Sequence, residues 1–168
     1  QGNNVLAPAL AYLVDAAQRQ VLLMDTMRER GNQYLEHCAK AAPHVLSYAA
    51  ELILDGRTFP RPVNYALARI IPPKGIEIDP VQRPFVIVDP RGGHGPGIGG
   101  FKADSEIGVA LKAGHSCYFV GFLPDPMPGQ TIEDIARAEA IFLEKVIALH
   151  PDAEGKPCVI GNCQAGWA

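Results

Sequence analysis

A chain of 168 residues is long enough to bury a proper core, and its length suggests one domain. Hydrophobic residues make up 48% of it and charged residues 20%, the balance of a soluble globular protein. A net charge of −3 with no run of Lys or Arg argues against a nucleic-acid surface, and no apolar run is long enough to span a bilayer.

The first forty or so residues read as helix, with Leu6, Leu10, Leu13, Val14, Ala17, Val21, Met24 and Met27 on one stripe. Gly31 and Asn32 are expected to break it, Tyr34, Leu35 and Cys38 to continue in a second stretch, and Pro43 to end it. "AELILDG" and "NYALARI" then read as two short strands joined by the turn-rich "GRTFPRP". "PFVIVD" is a continuous apolar run, the pattern of a strand buried on both faces of a parallel sheet. The glycine-rich "RGGHGPGIGG" follows, then a short helix over 104–113 closed by Gly114. "SCYFVGF" is another buried strand. Thr131 opens a long helix with Asp134 three residues on, close to a capping box, and Glu133 beside it suits a helix N-terminus. Pro151 stops that helix, and "KPCVIGN" is the last strand.

Buried strands alternating with helices predict right-handed crossovers and an α/β fold with a mostly parallel sheet, preceded by a helical segment. "PFVIVD", "SCYFVGF" and "PCVIG" should be parallel neighbours. Sites in such sheets lie beyond the carboxyl ends of the strands, where the glycine-rich loop and Cys163 both fall.

"GNCQA" around Cys163 has small residues, Gly161 and Ala165, two places to either side. A nucleophile elbow needs them, because larger side chains there would strike neighbouring backbone. The helical amides after the elbow favour thiolate over thiol, and the N–H of Gln164 is one donor for a tetrahedral oxyanion. The alternative is a small cysteine buried at a strand end.

The glycine-rich loop has two readings. Gly95, Gly97 and Gly100 spell a dinucleotide fingerprint, but residues intervene between strand and motif, and Pro96 lacks the N–H that would help bind phosphate. The other reading is an oxyanion loop, with the backbone N–H of Arg91 or Gly92 as the second donor. His94 is a candidate substrate contact, with a solvated loop histidine as its alternative. Asp89 is placed to order the loop. His115 reads as structural, His37, His44 and His150 as surface or capping residues, and Cys117 and Cys158 as inert core. The four cysteines form no Cys-x-x-Cys and no zinc spacing, so neither metal nor cofactor is expected, and their scarcity points to a reducing, cytoplasmic setting.

In that order, "PFVIVDP", the loop, "LKAGHSCYFVGFLPDP", the long helix and "GNCQAGWA" resemble polyhydroxyalkanoate synthases, and more closely an uncharacterised bacterial family related to them. The resemblance covers residues 45–168. It implies an α/β-hydrolase fold in which a cysteine in a Gly-x-Cys-x-Gly-Gly elbow takes an acyl group from a coenzyme A thioester, supported by an aspartate and a histidine further along. Only Cys163 carries over. Ala165 stands where the synthases have glycine, and Gln164 also departs from their pattern.

The resulting expectation is a helical segment over 1–44 and the N-terminal part of an α/β-hydrolase domain over 45–168, with both ends cut from a longer protein. Cys163 would act in acyl transfer or in thioester or ester hydrolysis on a small acyl substrate. The aspartate and histidine would lie beyond residue 168, leaving the chain alone inactive. The rivals are a nucleotide-binding protein using the glycine-rich loop and a catalytically inactive scaffold.

Overall fold

A computed structural model describes residues 6–40, 44–92 and 96–167. Two compact units result, Gln1–Ala41 and Ala42–Ala168. The first is helix α1, Leu6–Cys38, which buries none of its residues. The break expected at Gly31 does not occur. One glycine costs a helix about 1 kcal/mol relative to alanine, too little to interrupt thirty-three residues of it. The helix ends at Cys38, and Pro43 lies outside the described residues.

The second unit holds five strands: β1 (Ala50–Asp55), β2 (Tyr65–Ile70), β3 (Phe85–Val88), β4 (Cys117–Phe122) and β5 (Cys158–Gly161). They form one sheet in the order β1-β2-β4-β3-β5. β1 and β2 are an antiparallel hairpin, and β2 runs antiparallel to β4. β3 pairs in parallel with β4 on one side and with β5 on the other, as expected of those three strands. The sheet is therefore mixed rather than mostly parallel, because the hairpin returns β2 against the direction of the crossover strands. The crossovers are the helices α2 (Glu106–Lys112) and α3 (Ile132–Leu149), as expected of an α/β fold.

The period-two pleat sends alternate residues to opposite faces, so the sheet has two cores. Val86, Val88, Tyr118, Val120 and Phe122 pack with Ile135, Ala138, Phe142 and Val146 of α3. Ile87, Cys117 and Phe119 pack with Ile107, Ala110 and Leu111 of α2. Each Val, Leu, Ile or Phe side chain among them contributes roughly 1.5–3 kcal/mol when fully buried. β4 is buried along its whole length, which explains its unbroken apolar run. β5 lies at the sheet edge, so Cys158 is only half-buried, not the core residue expected.

Ser105 stays extended ahead of α2, so the helix opens at Glu106, and Gly114 takes φ +93° just beyond its end. The capping box of α3 is complete: Thr131 Oγ1 accepts from the Asp134 N–H, and Asp134 Oδ2 accepts from the Thr131 N–H at 3.0 Å. The Arg61 guanidinium donates to the same carboxylate at 2.9 Å. Arg61 first, and Thr131 after it, hold the Asp134 carboxyl down at about 2. A carboxyl depressed in the folded state stabilises fully above its unfolded value of about 4, and that contribution fades as the pH falls toward 2. Arg61→Ala should therefore raise the midpoint of acid unfolding. Arg61 is largely exposed, so a shift of about a few tenths of a pH unit is expected. An unmoved midpoint in an acid titration followed by circular dichroism would show that the ion pair adds nothing.

Candidate functional site

β5 ends at Gly161 and Cys163 opens a 3-10 turn, Cys163–Trp167, so the cysteine stands where strand becomes helical turn. Its φ is +47°, in the left-handed region that non-glycine residues rarely occupy. Cys163 is exposed. The bend brings Gly161 so close to the chain four residues later that a Cβ there would lie 2.9 Å from the Ala165 carbonyl oxygen. Ala165 points down into the α3 core, and its N–H closes the turn on the Asn162 carbonyl at 2.8 Å. Gly161 thus has the steric reason anticipated for a small residue on that flank. Gln164 is exposed in the first step of the turn, where backbone N–H groups lack intrahelical acceptors.

The loop after β3 is organised by Asp89, which is 2% exposed. Its Oδ1 accepts from the Arg91 N–H at 2.9 Å, and its Oδ2 from Gly97 at 2.6 Å and Ile98 at 3.1 Å. Burial pushes this carboxyl above its usual pKa, and the three N–H donors pull against that push. The Arg91 N–H, one of the two donors expected for an oxyanion, is thus engaged by Asp89. Arg91 has φ +59°, and its guanidinium lies over the Tyr65 and Phe122 rings at 5.6 and 5.3 Å. His94 lies outside the described residues.

The glycines have a packing duty. A Cβ on Gly97 would stand 2.7 Å from the Leu46 nitrogen, and one on Gly99 would stand 2.6 Å from Ile87 Cγ2. The loop also pairs with the preceding chain, the Val45 N–H donating to the Pro96 carbonyl and Ser47 to Gly100. The Val45–Leu46 backbone beside Gly97 and the Leu46 and Ile107 side chains beside Gly100 account for glycine at both positions.

Two histidines sit at the opposite end of the sheet from Cys163. His115 precedes β4, bonded through Nδ1 to the Arg83 carbonyl and packed on Phe85. His150 caps α3 before β5, its Nε2 2.8 Å from the Tyr118 hydroxyl. Burial, then Arg69, lowers its pKa. Cys117 is buried, and burial pushes its thiol up to about 12.

The family described as "Protein of unknown function (DUF3141)" matches residues 15–168. The chain belongs to this family. A Rhizobium meliloti protein described as "Uncharacterized protein in ackA 5'region" is 72% identical over 163 residues, 97% of this chain and 22% of that protein. This chain thus spans under a quarter of that relative's length. No solved structure matches. No helix among the described residues is long and apolar enough to cross a membrane.

Both halves of the site, loop and elbow, fall within the DUF3141 match. Three residues near them were not singled out from the sequence. Glu139 lines a cleft of about 380 Å³ on the α3 face, together with Gly161, Ala165 and Gly166 under the elbow, and burial pushes its carboxyl up to about 7. An acid four residues after Ile135 and three before Phe142 was a legible anomaly on a buried stripe. Asn162 and Glu106 carried no such signal, since only the fold brings them together.

Proposed function

We propose that Cys163 is the nucleophile of an acyl-transfer or thioester/ester-hydrolysis site in a protein related to the polyhydroxyalkanoate synthases. The observation that carries this reading is an exposed cysteine held at φ +47° beyond the carboxyl end of a parallel strand. A residue held in a sparsely populated conformation needs surrounding structure that insists on it, and such residues cluster where chemistry is done. The glycine-rich loop, ordered by Asp89, reaches the elbow at Gly99, where an added Cβ would stand 3.1 Å from Asn162 Nδ2.

In this reading the Cys163 thiol gives its proton to a base, and the sulfur bonds to the acyl carbonyl carbon. The carbonyl oxygen becomes the oxyanion, held by the N–H groups of Gln164 and Gly92. Collapse breaks the bond to the leaving thiol or alcohol, which takes the proton back from the base, and leaves a thioester on Cys163. Water or an acceptor hydroxyl then releases the acyl group. His115 and His150 stand at the opposite end of the sheet from Cys163, so neither is the base; in this reading that role falls to a histidine further along the full-length protein, as the resemblance implies. A coenzyme A thioester is the substrate class that the resemblance suggests, in the cytoplasm.

Incubation with a short acyl thioester should leave the acyl mass on the peptide holding Cys163 in the full-length protein, and Cys163→Ala should abolish both label and turnover. The 168-residue chain should show no sustained turnover. Iodoacetamide should label Cys163 before Cys38, which is also exposed, with Cys117 last. Undiminished turnover in Cys163→Ala would falsify the nucleophile assignment and leave the inactive scaffold or the nucleotide site in its place.

A further inference from the structure

The side chain immediately before Cys163 carries an unmet demand. Asn162 Nδ2 is buried and, among the described residues, has no hydrogen-bond partner. A buried donor left unpaired costs about 1–3 kcal/mol, so such an atom calls for an acceptor. The geometry around Gly99 supplies one. A Cβ on Gly99 would stand 3.1 Å from Asn162 Nδ2 and 3.3 Å from Glu106 Oε2, so amide and carboxylate flank the same bare point. Gly99 has φ +99°, and its carbonyl accepts from the Ile107 N–H at 3.0 Å, which ties the loop to the first turn of α2. Glu106 is the first residue of that turn, exposed and bordering an open cleft of about 590 Å³ along α2 and β5, with freedom to turn its carboxylate inward. No ion pair or hydrogen bond engages this carboxylate among the described residues.

We propose that Glu106 is a positioning residue: it accepts a hydrogen bond from the Asn162 amide across the bare face of Gly99, and so latches the elbow that presents Cys163 to the glycine-rich loop and α2. Its functional meaning rests on Cys163 being the nucleophile, but the latch itself is a contact that can be tested without turnover. Glycine is required at position 99 because a methyl group there would stand between the two partners as well as against Ile87. The carboxylate is the better acceptor, since a charged partner strengthens the bond.

The first arm reads the latch directly. In the ¹⁵N spectrum of the 168-residue chain, the Asn162 side-chain amide should be protected from exchange; Glu106→Gln should keep that protection, and Glu106→Ala should abolish it. In the second arm, iodoacetamide labelling of Cys163 should slow about five-fold in Glu106→Ala and in Asn162→Ala, by no more in the double variant, and by less than about two-fold in Glu106→Gln. A general loss of fold would slow or speed every thiol, so labelling of buried Cys117 serves as the control. An Asn162 amide indifferent to Glu106, or strictly additive effects on Cys163, would overturn the latch. Those readings stand apart from the nucleophile assignment, which fails only if Cys163→Ala keeps its turnover.

Discussion

Asp89→Ala is expected to unhinge the glycine-rich loop and to cost about 3–5 kcal/mol, as when one member of a buried charged network is removed. Three backbone N–H groups, from Arg91, Gly97 and Ile98, lose their acceptor together, and two of them lie eight and nine residues further along the chain. Asp89→Asn should cost less but not restore the loop. Its single oxygen can serve one side of the network, and its NH₂ then faces donors on the other. Urea midpoints should fall in the order wild type, Asn, Ala. Amide exchange at Gly97 and Ile98 should quicken in the same order, well before exchange in β3. If the alanine variant kept both midpoint and loop protection, Asp89 would be a passive strand end.

Gly108→Ala is the second large effect, and its sign runs against helix propensity. Alanine is better than glycine inside a helix by about 1 kcal/mol. At position 108, however, a Cβ would lie 2.0 Å from the Ala103 carbonyl oxygen and 2.5 Å from the Tyr48 hydroxyl. The carbonyl is backbone, and Tyr48 already donates to it at 3.3 Å, so neither moves without breaking the packing of α2. Overpacking of this kind costs about 1–3 kcal/mol or more and outweighs the propensity gain. The control is Gly31→Ala in α1, where a Cβ would meet nothing within 4 Å. There the propensity term acts alone, and far-ultraviolet circular dichroism should show more helix. A Gly108→Ala variant as stable as wild type would mean that α2 sits further from the 103 carbonyl than this fold has it.

The largest features were legible in the residues because they follow from local rules. Apolar runs at Phe85–Val88 and Cys117–Phe122 are strands covered on both faces. Thr131 and Asp134 announce a helix start through bonds three residues apart. Gly161 stands two places before Cys163 because the tight turn brings the Ala165 backbone too close for a side chain there, and that constraint lies within five consecutive residues. Asp89 was legible for the same reason: a carboxylate at a strand end, followed by a chain of free amides, has donors close at hand.

What the sequence left open depended on partners distant along the chain. The direction of β2 against β4 is set by how the hairpin folds back across the sheet, and no run of apolar residues encodes it. The Arg91 N–H looked available until the loop closed on Asp89. Gly97 and Gly100 looked like a phosphate cradle until residues 45–47 came alongside them. Asn162 and Glu106 are fifty-six positions apart, and only the pleat of β5, which turns Asn162 to the α2 face, sets them on either side of Gly99. Short-range sterics and hydrogen bonding determine the elbow from sequence alone; the tertiary structure decided which donors near it remain free, because burial and long-range pairing assign backbone groups to partners that sequence order does not reveal.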